Sequence, residues 1–574
     1  MSITHDQYRR ARAISEPAAR LLLDAIRPNQ RGRKSLDPLI FLTGMQLAID
    51  IYNVATITKI HTVLTRDLTR EDQWDLGSRK IMTNGQEREI THNDLYALTK
   101  RISKMTDFSS KRAPLLSKHD RHHRRDLIDE IVAAILDTTL PARPEGSHDY
   151  ALDGTGIWAA ERYQRKIPTS TPPEPQHEEE WTSKFLRDGE NQMPSDVRRS
   201  AVLHTPKPGK GCHGESDAAI GAKTNKEGNR EYFFGYDVEA VVRVPAISTA
   251  DFKVRTEPNL LERLVVIPGG TDIVSTCLRM FDRMEAKGTK IQSLLVDRHY
   301  SYKKYDRWLQ ELFNRGIEQV ADMHSNDQGF NDWDGMKMAA GWAHCPSTPD
   351  RLGSIPTLGL TASEDEVDLF NALINERRAY MAKRINPMSK EGKIRFGCPA
   401  LDGTVGCPLR PETMATATLL NLPIVVGPPA EVGRPTICTQ KSVQLHVTTE
   451  AQKRVTKMYQ RFYWGSKQWR LSYARRTYVE GWFGVLKNTT ATGFHRGSHQ
   501  FKGLPLVSIV LAMAAATTNL RLLRAWHDET GLGDTAHPLL KSDAVFFGFT
   551  QLSEDQARIL DDMAFAEKVL SSVN

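Results

Sequence analysis

Cysteine is scarce in this chain: six in 574 residues, with no Cys-x-x-Cys pair. A fold stapled by disulfides would carry more, so a reducing compartment is expected. A strong excess of one charge is missing too. The 77 Lys and Arg against 70 Asp and Glu leave +7 and a pI of about 8.9, which permits a polyanionic partner without requiring one. The opening MSITHDQYRRARAISEP has no apolar core of the kind a secretory signal needs, so a cytoplasmic protein is expected. Long apolar runs are also lacking. The best, LPLVSIVLAMAAATTNLRLL from Leu504, is interrupted by Ser508, Thr517, Thr518 and Asn519 and reads as a buried core helix, so no membrane partner is expected. What remains, 40% hydrophobic and 26% charged residues, is the composition of a globular chain with room for roughly two to four folding units.

Residues 1–145 read as almost wholly helical. In SLDPLIFLTGMQLAIDIY, Asp37 is the expected N-cap and Pro38 the first helical residue. The basic amphipathic segments TITKIHTVLTRDLT and ITHNDLYALTKRISKM fit a helix-turn-helix DNA reader, or equally a scaffold with a solvated basic face. In SKHDRHHRRD, His119, His122 and His123 sit among Lys and Arg, whose charge opposes a bound cation. That stretch suits a phosphate-facing or simply solvated surface.

The pattern changes at DYALDGTGIW, a strand with Asp153 at its exit, a turn at Gly154 and Gly156, and Asp149 just before it. Residues 168–215, rich in Pro, Glu, Lys and Ser, read as a long exposed insertion. In EYFFGYDVEAVVRV, apolar Tyr236, Val238, Ala240, Val242 and Val244 alternate with Asp237, Glu239 and Arg243, predicting a strand with one buried face. RLVVIPGG adds a strand, and DIVSTCLRMFDRMEAKG a helix with Cys277 in its core. IQSLLVDRHYS reads as a strand covered on both faces with Asp297 at its end, SYKKYDRWLQELFNRG as a helix, and IEQVADMH as a strand bearing Asp322. Together they predict a mixed α/β sheet whose central strands carry acids at their ends. The expected division is 1–145, 146–325, a cysteine-containing insertion at 326–450, a second part of the core at 451–530, where helices resume near Lys453, and a helical tail at 531–574.

SYARRTYVEGWFGVLKN reads as one helix. At about 100° per residue, Tyr473, Arg476, Glu480 and Lys487 share an arc of roughly 60°, beside an apolar stripe of Val479, Trp482, Phe483 and Leu486. Burying the stripe aims the polar row at a neighbour. Carboxylates from separate elements suit Mg²⁺, and two such ions can promote an in-line phosphoryl transfer. Arg476 and Lys487 could then hold phosphates. The plainer alternative is that Glu480 neutralises Arg476 or Lys487 while Asp153 and Asp297 cap turns. Asp149 and Asp322 are the competing acids.

Asp153, Asp297 in LLVDRHYS, and Tyr473-x2-Arg476-x3-Glu480-x6-Lys487 together resemble the DDE transposases of bacterial insertion sequences that carry a Tyr-Arg-Glu-Lys signature. FFGYDVEAVV and VDRHYS resemble that family's GYK strand and DRGY segment, with Asp237 in place of Lys and His299 in place of Gly. The likeness covers 150–324 and 455–523. It implies an RNase H-like mixed sheet flanked by helices, with a large insertion before the helix bearing Glu480. It also implies catalytic, metal-binding Asp153, Asp297 and Glu480 with two Mg²⁺ or Mn²⁺ ions. Tyr473, Arg476 and Lys487 would contact the DNA end. The family cuts at transposon ends and joins them to target DNA in the bacterial cytoplasm, at the nucleoid, as a dimer or larger assembly. Two other readings stand beside it: an RNase H-like nuclease without strand transfer, and a non-catalytic DNA-binding derivative.

Cys345, Cys398, Cys407 and Cys438 fall in the insertion, the first three in Cys-Pro dipeptides. Four thiolates could close a structural Zn²⁺ site, with His344 or His446 as substitutes, or remain reduced core thiols. Trp464, beside Lys467 and Arg470 in RFYWGSKQWR, is the candidate for stacking on a DNA base, with the two cations as phosphate contacts.

Overall fold

The computed structural model describes residues 3–531 other than 27–35, 83–84, 111–114, 144–147, 161–216, 225–229, 246–254, 302, 324–326, 328, 357, 359–360 and 496. The expected insertion at 168–215 and the tail beyond Gly531 lie outside the described residues.

Short polar residues start helices here where apolar runs begin. They give α1 (His5–Ile26), α2 (Pro38–Tyr52), α3 (Ile57–Thr62), α4 (Arg70–Leu76), α5 (His92–Thr106) and α6 (Lys118–Asp137). Asp37 accepts the Leu39 N–H at 2.9 Å with Pro38 in the first turn, as expected, and α2 ends where Asn53 turns left-handed at φ 53°. Thr56, Thr69, Thr91 and Ser117 cap α3 to α6 in the same way. The region is not wholly helical, because Arg79–Ile81 pairs antiparallel with Glu87–Glu89. That ribbon and α4 separate α3 from α5. The two basic segments therefore do not form the short-turn pair of a helix-turn-helix.

Six strands make one mixed sheet: β1 (Asp149–Trp158), β2 (Ala219–Thr224), β3 (Arg230–Arg243), β4 (Leu261–Pro268), β5 (Ser293–Val296) and β6 (Glu318–Ala321). The long β3 pairs antiparallel with β1 on one edge, and with β2 and then β4 on the other. Beyond β1 the sheet continues with parallel β5 and β6. β1 runs on to Trp158 because β3 is long enough to pair with it that far. Asp153 is thus inside a strand rather than at its exit, and Asp149 begins that strand. The parallel partner is shorter: its last pair is Leu152 with Val296.

Both faces of the sheet are covered. α7 (Ile273–Ala286) packs on Tyr150, Leu152, Val241, Leu294 and Val296, with Cys277 fully buried as expected. The alternation in β3 therefore does not mark a solvent face. Glu239 and Arg243 are 3% and 8% exposed, and Arg243 is neutralised by Glu262. The helix expected after Asp297 is broken into α8 (Arg298–Ser301), a 3₁₀ turn at Tyr305–Arg307 and α9 (Leu309–Asn314).

The opposite face receives α13 (Leu504–Thr530). By length and composition it could cross a membrane, yet 89% of its apolar window is buried in the protein. It lies in one apolar core with α1, α2 and the sheet, and Gln46 Nε2 donates to Thr517 Oγ1 at 2.8 Å across that contact. The N-terminal helices thus share their core with the sheet.

Between β6 and the last helices the chain builds a second, smaller core, which Tyr305 and Leu309 from before β6 also join. It holds the meander β7 (Asn331–Trp333), β8 (Met336–Ala339) and β9 (Trp342–His344), then α10 (Glu364–Ala379) and the ribbon of β10 (Lys393–Gly397) with β11 (Ser442–His446). α10 corrects the expectation that no clear helix precedes Lys453. Ser363 and Glu366 cap it reciprocally.

Candidate active site

After Leu152 and Val296 the parallel pair ends, and the next residues on the two strands are Asp153 and Asp297. Asp153 Oδ1 accepts its neighbour Gly154 N–H at 2.8 Å, and Asp297 accepts the His299 N–H at the start of α8. The third carboxylate comes from α12 (Thr477–Lys487), which buries Val479, Trp482, Phe483 and Leu486 and leaves Glu480 half-exposed. Arg476, at the N-terminus of α12, joins the groups. Its Nη2 donates to Glu480 Oε1 at 2.6 Å, and its Nη1 stands 3.5 Å from Asp153 Oδ2. Burial, then the like charges of Asp297 and Glu480, push the Asp153 carboxyl up to about 6 against the pull of Arg476.

A carboxylate that feels two others as unfavourable neighbours is in the electrostatic state a cation relieves, so the donor set fits a hard divalent ion. As the side chains stand, no three His, Cys, Asp or Glu among the described residues are gathered at ligand spacing. Arg476 occupies the cation's electrostatic role between Asp153 and Glu480. Its Nε–H is buried with no hydrogen-bond partner among the described residues, a donor not yet used.

The run from Ser472 to Asn488 is not one helix. α11 (Lys467–Ala474) ends, the chain turns at Arg475 and Arg476, and α12 begins. Arg475 accounts for the turn: it points inward, donating to Asp149 Oδ2 at 2.7 Å and to the Pro245 carbonyl at 2.7 Å. Tyr473 still reaches the site. Burial, with Asp322 and Asp297 nearby, pushes its phenol up to about 12, and its ring stacks on Trp469 at 5.0 Å. At the far end of α12, Lys487 donates to Thr155 Oγ1 and to the Gly156 carbonyl. α12 is therefore fastened along β1 at both ends.

The competing acids are otherwise engaged. Asp149 is held by Arg475, while Asp322 accepts Trp464 Nε1–H at 3.1 Å and pairs with Arg298. Trp464 is thereby placed in the core, 2% exposed and packed on Trp469 and Phe370, which corrects its assignment as a base-stacking residue. Arg470 donates to Asn371 Oδ1 at 2.7 Å, and Lys467 is exposed.

The sequence reading missed Glu239. It lies opposite Gly154 on the α7 face of the sheet, where a Cβ on Gly154 would stand 2.8 Å from its Oε1. Tyr300 Oη donates to it, and Cys277 Sγ is 3.9 Å away. Burial pushes its carboxyl up to about 8; Asp153 and Asp237 add to the rise, and Tyr300 and Lys303 oppose it. Its position in the polar alternation gave no hint of this. Because the folded form holds a proton that the unfolded chain releases above its ordinary value of 4.5, stability falls as pH rises between about 4.5 and 8. Melting curves for wild type and Glu239→Gln are expected to diverge across this window, the wild type losing more as pH rises. Parallel curves would show that Glu239 does not carry the effect.

A second cluster forms in the insertion, where Cys345, Cys398, Cys407 and Cys438 all line one small cavity. Burial pushes the Cys345 thiol up to about 12, and the other three thiols add to the rise. His344 and His446 are committed elsewhere. His344 lies between Tyr463 Oη and the Lys337 carbonyl, and His446 bonds to the Glu391 carbonyl.

The chain matches no protein-family model, no curated protein and no solved structure.

Proposed function

We propose that the chain is a DDE transposase on an RNase H-like core, with Asp153, Asp297 and Glu480 as its catalytic carboxylates. The observation that carries this reading is that Arg476 bridges Asp153 on β1 and Glu480 on α12, while Asp297, next after the end of β5, is a like-charged neighbour of Asp153. The strand order supports the core assignment: an antiparallel set formed by β4, β3 and β1, extended by parallel β5 and β6.

Mg²⁺ or Mn²⁺ held by these three residues would supply Lewis-acid stabilisation of the attacking and leaving oxygens. The chain's own residues bind and position the DNA. Arg476 has an unspent Nε–H and can exchange its carboxylate partners for a phosphate, with Tyr473 near Asp297 and Lys487 further along β1 as the other candidate DNA contacts. In the first step water attacks the phosphorus at the transposon end, and the P–O3′ bond breaks to leave a 3′ hydroxyl. In the second, that hydroxyl attacks a target phosphorus and displaces another 3′ oxygen. Two or more copies of the chain would bring two ends together on target DNA in the bacterial cytoplasm.

The same salt bridges also favour a second reading, a non-catalytic DNA-binding derivative in which Arg476 merely neutralises Asp153 and Glu480. The test uses labelled DNA from both flanks of the gene with purified protein and Mg²⁺ or Mn²⁺. Nicking at a defined end followed by joined products is expected. Nicking without joining would indicate the nuclease, and specific binding without nicking the derivative.

A further inference from the structure

We propose that Cys345, Cys398, Cys407 and Cys438 hold a structural zinc ion that fastens the insertion. This does not rest on the transposase reading. The four residues come from separate stretches: Cys345 directly after β9, Cys398 directly after β10, Cys407 in a loop, and Cys438 in the short helix Thr436–Thr439. Folding nevertheless brings all of them to the wall of one cavity. None is in a disulfide, and three are buried.

Turns fix the backbone of three of the four cysteines. In each Cys-Pro segment the cysteine carbonyl accepts an N–H a few residues on: Thr348 to Cys345 at 3.0 Å, Asp402 to Cys398 at 3.0 Å, and Arg410 to Cys407 at 2.8 Å. These tight turns hold three thiols on the cavity wall. The rest of the lining is Val405, Leu409, Val425, Ile437, small residues and Arg410, with no carboxylate. A set of four sulfurs selects a soft or borderline metal over Mg²⁺ or Ca²⁺. The space they surround has room for about one water-sized particle, enough for a single ion. Zinc with four thiolates carries a net negative charge. Arg410 answers it: its Nη2 bonds to the Cys438 and Gln440 carbonyls, and its Nε–H has no partner among the described residues.

The sulfurs line the cavity but do not stand at ligand spacing, so binding draws them inward. The benefit is clear from what surrounds them. From Gly397 to Ser442 the described chain has only short helical turns, Pro411–Thr413, Met414–Leu419 and Thr436–Thr439, and a metal cross-link there supplies stability that so little regular structure does not.

Full-length protein purified without chelator is expected to carry about one zinc per chain by elemental analysis. Asp153→Asn should keep it, and the Cys398→Ser, Cys407→Ser double variant should lose it. Exchange with Co²⁺ should give intense thiolate-to-metal charge-transfer absorption that weakens in Cys438→Ser, a milder change at a partly exposed position. The wild-type protein gives a test that needs no variant: the insertion thiols should be protected from a disulfide reagent until a chelator is added. Protein without zinc, whose thiols react at the same rate with and without added zinc, would overturn the proposal. So would bound zinc that leaves the four thiols unprotected.

Discussion

Glu480→Gln is expected to abolish metal-dependent DNA cleavage, with a loss on the order of 10³-fold or more, while the fold and specific DNA binding survive. The expected split follows from where Glu480 sits. Its side chain is half-exposed on α12, and the helix is held instead by Val479, Trp482, Phe483 and Leu486 and by Lys487 on β1. Gln is as good a helix former as Glu, and the exposed bond to Arg476 contributes about 1 kcal/mol or less. Stability is therefore nearly untouched, whereas the charged oxygen proposed to hold the ion is lost. Asp153→Asn should match it in activity. It should also differ in stability, since Asp153 is mostly buried among acids and neutralising it relieves repulsion. A Glu480→Gln variant that cleaves like wild type would return Glu480 to the role of an ion-pair partner.

Asn519→Ala is expected to destabilise the protein by on the order of 3–5 kcal/mol and to remove activity as a consequence. Asn519 is fully buried in α13 and uses its whole amide. Oδ1 accepts Leu261 N–H at 2.9 Å and Trp482 Nε1–H at 3.1 Å, while Nδ2 donates to the Leu261 carbonyl at 3.0 Å and to Thr139 Oγ1 at 3.1 Å. One side chain thus ties α13 to edge strand β4, to the end of α6 and to the underside of α12, two residues from Glu480. Alanine leaves a backbone N–H, a carbonyl and an indole N–H buried without partners. Thermal melting and cleavage measured on the same preparation check this. An unchanged melting temperature would show that the site closes around water without cost.

The parts of this structure legible in the sequence were those governed by short-range rules. Asp37 and Pro38 mark the start of α2 because a cap and a fixed φ act over one turn. The apolar run before Asp297 gives a strand buried throughout, and the long run at Leu504 gives a covered core helix. α10 was also open to reading, since Ser363 and Glu366 have capping-box spacing, but the irregular chain around it hid the signal.

What could not be read depended on contacts between distant residues. β1 continues past Asp153 because β3 is long enough to cover it, and no property of DGTGIW alone conveys that. The break between α11 and α12 depends on Arg475 finding Asp149, more than 300 residues earlier. Trp464 sits among basic residues in sequence yet is drawn inward by Asp322. Glu239 alternates like a solvent-facing residue and is buried because α7 covers its face. In the candidate site the three acids were identifiable one by one. The bridge that Arg476 makes between Asp153 and Glu480 was not, because it needs the sheet to form first.

The most direct test of the proposed centre is backbone cleavage by bound iron. With Mg²⁺ replaced by Fe²⁺, and hydrogen peroxide and ascorbate added, hydroxyl radicals formed from the peroxide cut the chain next to the ion's ligands. The expected fragments end near Asp153, Asp297 and Glu480, three positions far apart in sequence, and excess Mg²⁺ suppresses them. The three cuts should vanish together in Asp153→Asn. Cuts that survive this substitution, or fragments that never include the neighbourhood of Glu480, would contradict a metal site shared by these three carboxylates.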